Sequence, residues 1–320
     1  MKQQSALLTL LLLLAGCIAG SSPSGAQVDI RSPGIWTVLA PMPTERTEVT
    51  AAEAGGKVYV IGGFGESFQP VGSVEAYDPA QNRWEARTPL PLALHHAAAV
   101  ALSGKIYVVG GFQGRVAWEP QATLFEYAPA TNAWSQKASM LTPRGALGAA
   151  VIDGKIHALG GSGDRALNVH EVYDPASNTW TRRNAMPTAR DHLAVVSLGG
   201  KLYAIGGRKS FFGDKYASVE IYDPSTDSWR TGPPISEARG GLAAAVLDGR
   251  MYAFGGELVL RVLSTTEVYD PATDTWREKA PMPTGRHGLG AAAVGKRVYV
   301  IGGGVRPGPS RSPPNEAFEP

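Results

Sequence analysis

The sequence predicts an all-β fold, a ring of six four-stranded antiparallel sheets, and two markers recurring in step predict it. A Gly-Gly pair returns at Gly62-Gly63, Gly110-Gly111, Gly160-Gly161, Gly206-Gly207, Gly255-Gly256 and Gly302-Gly303. A tryptophan returns at Trp36, Trp84, Trp134, Trp180, Trp229 and Trp276 with the same spacings of 48, 50, 46, 49 and 47 residues. A unit of that length is one small supersecondary block that cannot bury its own faces, so copies stack around an axis as propeller blades. Composition agrees. With 43% hydrophobic and 18% charged residues the chain can bury a large core, and 39 Gly and 24 Pro suit short strands joined by turns.

Within each unit, strand A is small and apolar, as in Ala97-Ala98-Ala99-Val100-Ala101, because the innermost strands crowd the axis. A tight Gly-Lys or Gly-Arg turn follows, such as Asp153-Gly154-Lys155, and marks a hairpin. Strand B is a near-continuous apolar run, as in Val58-Tyr59-Val60-Ile61, which fits burial on both faces. Strand C reads Val74-Glu75-Ala76-Tyr77-Asp78-Pro79, and Asp-Pro ends its ladder. Strand D is centred on the tryptophan, whose bulk fills the widening gap between outer strands.

A diglycine, a spaced tyrosine and a spaced tryptophan resemble the kelch repeat. The resemblance runs from Trp36 to the C-terminus and implies a six-bladed kelch propeller over residues 35–320. The last repeat ends at Asn315-Glu316-Ala317-Phe318-Glu319-Pro320, one strand short, and the missing strand lies around Ile35-Trp36-Thr37-Val38. The N-terminal strand is therefore expected to complete the last blade and hide its edge.

Residues 1–16 read as an export signal, with Lys2 before an apolar run from Ala6 to Ala15 that is too short to span a bilayer. The stretch Leu14-Ala15-Gly16-Cys17 resembles the bacterial lipoprotein signal, which implies a lipid on Cys17, the only cysteine. Residues 17–34 read as a flexible tether. Membrane contact is expected only through that lipid, with the head outside the cytoplasm. A net charge of +2 gives no footprint for nucleic acid.

All length variation falls between strands B and C, at 12, 14, 10, 13, 11 and 13 residues from the second glycine to the strand-C Glu position. The B–C and D–A loops share one rim, and variable loops on a rigid frame are where binding sits. Trp118, alone among seven tryptophans, is out of register, in the second B–C loop with Phe112 and Arg115. Phe64 and Phe68 lie in the first such loop, and Arg208, Lys209, Phe211, Phe212, Lys215 and Tyr216 in the fourth. Arg165 and Arg261 lie in the third and fifth. These loops carry more Lys and Arg than Asp and Glu, which favours an acidic ligand.

Arg46, Arg144, Arg190, Arg239 and Arg286 precede strand A, and Glu75, Glu171, Glu220, Glu267 and Glu316 begin strand C. The second repeat has Leu94 and Phe125 instead. The joint absence predicts five ion pairs within blades, with an apolar contact in the second; a ring of guanidiniums for an anionic ligand is the alternative. His95, His96, His192 and His287 follow the Arg position and should face the mouth, while His157 is core and His170 incidental. His96 and His192, two blades apart, are expected to stay separate, so no metal or other cofactor is assigned, and no catalytic set is visible. Asp191, Glu48 and His192 are the available acid–base groups.

These features point to an extracytoplasmic binding protein that recognises a protein or glycan ligand through the B–C and D–A loops. The alternative is a sugar-modifying enzyme resembling the periplasmic sialic acid epimerases, which are six-bladed kelch proteins elaborated by insertions that this chain lacks. The copper chemistry of galactose oxidase requires a Tyr–Cys bond, and Cys17 stands outside the repeats.

Overall fold

A computed structural model describes residues 32–320. The signal segment, Cys17 and nearly all of the tether lie outside the described residues. Six four-stranded antiparallel sheets form the ring, and the described residues contain no α-helix. Blade one is Thr50–Ala54, Lys57–Ile61, Val74–Asp78 and Arg83–Arg87, in that order from the axis outward. Five of the six innermost strands are rich in Ala and Gly, and the sixth, Ala194–Leu198, is built of Ala, Val, Ser and Leu, so six of them fit around one axis. The last blade joins both ends of the chain. Its inner strands are Gly290–Val294, Arg297–Ile301 and Asn315–Glu319, and its outer strand is Ile35–Val38. Trp36 lies opposite Phe318 in that ladder.

The repeated residues latch blade to blade. Each repeat tryptophan donates its indole N–H to a backbone carbonyl of the preceding blade or its D–A loop, as Trp84 does to Ala40 at 2.9 Å and Trp36 to Ala280 at 2.8 Å. The strand-C tyrosines work with the turn that follows them. Tyr77 donates its hydroxyl to Asn82 Oδ1, which also accepts the amide of Ala40. Tyr127, Tyr173, Tyr222 and Tyr269 do the same with Asn132, Asn178, Asp227 and Asp274. In the last blade the outer strand is Ile35–Val38, so no C–D turn joins it to Asn315–Glu319, and the position is Phe318 rather than Tyr.

The diglycines are interblade docks. Gly255 has a φ of 59°, and a Cβ there would lie 2.4 Å from the carbonyl oxygen of Arg286 in the next blade. The amide of Gly256 bonds to the same carbonyl at 2.8 Å, and all six repeats make the equivalent bond. Only glycine accepts both the left-handed backbone and that close approach.

The five arginines lie beneath these docks with no exposure. They pair with the strand-C glutamates of their own blades. Arg46–Glu75 and Arg144–Glu171 are 2.8 Å apart, Arg190–Glu220 2.7 Å, and Arg239–Glu267 and Arg286–Glu316 2.6 Å. Each guanidinium also bonds backbone carbonyls, as Arg46 does to Gly62 and Ser73, while the buried Nε of Arg46, Arg144, Arg190 and Arg239 has no hydrogen-bond partner among the described residues. Leu94 and Phe125 share one apolar cluster in blade two. This placement leaves the guanidiniums unavailable to a ligand.

His157 and His170 are both buried in blade three, 2.9 Å apart. Burial pushes their imidazoles down to about 4 and about 3, so both are neutral in the folded chain. Above the ordinary histidine value of about 6.5 the folded and unfolded chains hold the same protons. Below it the unfolded chain takes up protons that the folded chain refuses, so stability falls as pH falls and levels off near pH 3. Other blades carry Tyr at the His157 position and apolar or neutral groups at that of His170. The double substitution His157→Tyr, His170→Val should therefore flatten the decline in urea midpoint between pH 6.5 and 4. An unchanged slope would refute the assignment.

Candidate functional site

The mouth of the channel is built from one residue per blade, two positions after the Arg or Leu that precedes strand A. These are Glu48, His96, Ala146, His192, Gly241 and Gly288. All six have left-handed backbones, with φ between 52° and 67°. Their peptide groups link around the axis. The amides of His96, Ala146, His192, Gly241 and Gly288 each bond the carbonyl of the residue one blade earlier, and Val49 closes the circle onto Gly288. A left-handed conformation is unfavourable for Glu, His and Ala, and it holds here because the ring over-determines it. Three side chains thereby converge on the axis.

Above this ring lies a cavity of about 510 Å³. Its walls carry the aromatic rings of Phe64, Phe68, Phe112, Trp118 and Phe211, and its rim carries Arg115, Arg165 and Lys209. None of those three cations has an acidic partner within the described residues. Phe64 is buried and stacks on His95 with ring centroids 3.9 Å apart, while Trp118 stands 43% exposed over His96.

The floor is one connected polar network. His192 Nδ1 lies 2.6 Å from Asp191 Oδ1, and Arg208 Nη2 lies 2.8 Å from His192 Nε2. A guanidinium has no acceptor, so it donates, and His192 carries its proton on Nδ1. Arg208 also bonds Asp191 at 3.2 Å and Glu257 at 2.6 Å. His287 Nε2 sits 3.6 Å from both Glu257 and Glu48. His96 Nε2 sits 3.2 Å from Glu48. Burial alone would raise the Asp191 carboxyl, but the hydrogen bonds from His192 and Arg208 hold it below its ordinary value. Glu257 is also held low, against its burial, by His287, Arg208 and the Gly308 amide.

Of the ligand-binding candidates, Phe68, His96, Arg115, Trp118, Arg165, His192, Arg208, Phe211 and His287 line this cavity. The others do not. His95 lies behind the wall, bonded to His96 and Gly114. Tyr216 covers the guanidinium of Arg190, 5.1 Å from the ring centroid. Arg261 pairs with Glu237, and Phe212 points outward, 82% exposed. One expectation is corrected. His96 and His192 are not kept apart by the intervening blade; their ring centroids are 4.9 Å apart. Small strands bring the axis close, and long side chains span what remains. Glu257, which the sequence shows only as one loop charge among several, is in fact a buried floor residue.

Comparisons with known proteins agree with this architecture. A kelch family description, the KLHDC2/KLHL20/DRC7 Kelch-repeats domain, matches residues 32–186 and 182–303. The F-box/kelch-repeat protein At1g67480 of Arabidopsis thaliana is 37% identical over 78 residues, which is 23% of this chain and 21% of the plant protein's length. A solved chain described as the structure of YjhT superposes with a TM-score of 0.73 at 17% identity, covering 88% of this chain and 97% of that one. That likeness shows the fold alone. Repeats, topology and family match together place this chain in the kelch-repeat family.

Proposed function

We propose that this protein binds an acidic glycan unit in the mouth cavity and is displayed outside the cytoplasm. The observation that carries the reading is the pairing of aromatic walls with a charged, hydrogen-bonding floor in one cavity of about 510 Å³. That volume suits a small ligand rather than a flat protein face. Aromatic faces take the apolar side of a sugar ring, and the His, Arg and carboxylate groups of the floor take its hydroxyls. Arg115, Arg165 and Lys209 at the rim favour a carboxylate or sulfate on the sugar. The N-terminal apolar run ending at Cys17 supports export and lipid anchoring.

A glycan array probed with the soluble head tests this. Binding should centre on acidic sugars. Trp118→Ala should weaken it at least tenfold, about 1.4 kcal/mol. Phe212→Ala, outside the cavity, should leave it within about twofold. Equal losses in the two variants, or no acidic-glycan signal, would refute the cavity as the binding site.

A second reading is favoured by the ordered His192–Asp191 pair on the floor: a sugar-modifying enzyme resembling the sialic acid epimerases, with His192 Nε2 as proton acceptor. Conversion of a bound sugar followed by proton NMR, and its loss in His192→Gln, distinguishes this reading from binding alone.

A further inference from the structure

The hydrogen bonds behind the two ring histidines fix which nitrogens face the axis. The carbonyl of Gly114 can only accept, so His95 Nε2, 3.1 Å away, carries a proton. His95 is fully buried and no ion pair reaches it among the described residues, so its Nδ1 is the acceptor of the His95–His96 contact. His96 Nδ1, 2.5 Å from that nitrogen, therefore holds the proton between them. That leaves His96 Nε2 as the nitrogen turned toward the axis. It lies 3.2 Å from Glu48 Oε2. His192 also presents its Nε2 lone pair to the axis, with Nδ1 held by Asp191.

We propose that Glu48, His96 and His192 form a divalent-metal site that takes zinc. One ligand atom from each lies within 4.8 Å of the other two. Zinc bonds of about 2.0–2.1 Å would place them roughly 3.3 Å apart, so the side chains draw in on binding. Each imidazole has its other nitrogen bonded to an outer partner, the arrangement that orients metal-bound histidines. Two histidines and a carboxylate leave a fourth position, open to the cavity, for a water or ligand oxygen. Zinc at His192 displaces one hydrogen bond from Arg208, whose guanidinium keeps Asp191 and Glu257. The floor holds three carboxylates, Glu48, Asp191 and Glu257, and one guanidinium, Arg208, which pairs with Asp191 and Glu257 but not with Glu48, and this arrangement favours a further cation at Glu48. The inference goes beyond the proposed function and does not depend on any glycan.

The test uses metal alone. Chelator-treated protein, residues 32–320, is titrated with zinc by calorimetry and with cobalt by visible absorption. One equivalent of zinc should bind, and cobalt should show the intense bands of a four- or five-coordinate site. Glu48→Gln, His96→Gln and His192→Gln should each weaken zinc binding at least tenfold, whereas His157→Gln should not. Glu48 keeps some exposure, its side chain 13% accessible, and Gln is isosteric with Glu, so Glu48→Gln keeps the test decisive if a histidine variant fails to fold by circular dichroism. No stoichiometric binding, or binding unchanged in Glu48→Gln, would overturn the site. Loss of glycan binding in Trp118→Ala with zinc binding intact would leave it standing, so the two readings fail separately.

Discussion

Arg144→Leu should cost about 3–5 kcal/mol of unfolding free energy, because it strands a buried carboxylate. Arg144 and Glu171 are both fully buried and 2.8 Å apart. Removing the guanidinium leaves Glu171 with only the hydroxyl of Thr142, and the carbonyl of Ala158 loses one of its two donors. The protein contains its own remedy in blade two, where Leu94 and Phe125 occupy the same two positions within one apolar cluster. The double variant Arg144→Leu, Glu171→Phe should recover most of the loss, since the cost lies in the unpaired charge rather than in the absent pair. Urea unfolding of the two single variants and the double variant measures the coupling. Additive losses, or a single variant costing less than about 1 kcal/mol, would contradict this account.

Deleting the chain through Val38 should cost on the order of 5 kcal/mol or more and broaden the unfolding transition. The deletion removes the four-residue outer strand of the last blade and uncovers the edge of Asn315–Glu319. It also removes Trp36, which packs on Phe254 and Phe318 at centroid distances of 5.8 and 5.1 Å. Losing a large aromatic contact of this kind costs roughly 3 kcal/mol or more. The backbone and the indole do this work. Ile35 and Val38 are 70% and 71% exposed, so alanine at either position should leave the melting temperature almost unchanged. A synthetic peptide spanning residues 32–40 should restore the truncated protein by adding itself as the missing strand. A truncated chain as stable as the parent would show that the last blade stands without its N-terminal strand.

The ring was legible because its markers are local in sequence and repeat. The lockstep of Trp and Gly-Gly gives the number of blades, and the truncated last repeat gives the closing strand. The ion pairs were legible for the same reason, since blade two lacks both partners at once. The floor of the cavity was not. Glu48, His96 and His192 meet across an axis whose radius is set by the packing of six strands, which no spacing in the sequence expresses. Glu257 and Arg208 read as two loop charges of opposite sign, and only the turn of their loops toward the axis makes them partners at 2.6 Å. Tyr216 has the composition of a binding residue but caps Arg190 instead, because an aromatic next to a buried guanidinium finds a partner within the fold.

The hydrogen bonds that carry the mouth ring belong to the main chain, while the groups aimed at the axis belong to the side chains. Frame and chemistry are therefore separable. The ring behaves as six sockets, three of them fitted with Glu48, His96 and His192 and three left bare at Ala146, Gly241 and Gly288. A new side chain at Ala146, already held in the conformation its neighbours use, would add a fourth functional group without rebuilding a single strand. Gly288 offers no such room, because a Cβ there would lie 2.6 Å from the Glu48 carboxylate. The scaffold thus sets in advance which positions are free to acquire new chemistry and which must stay empty for the present chemistry to fit.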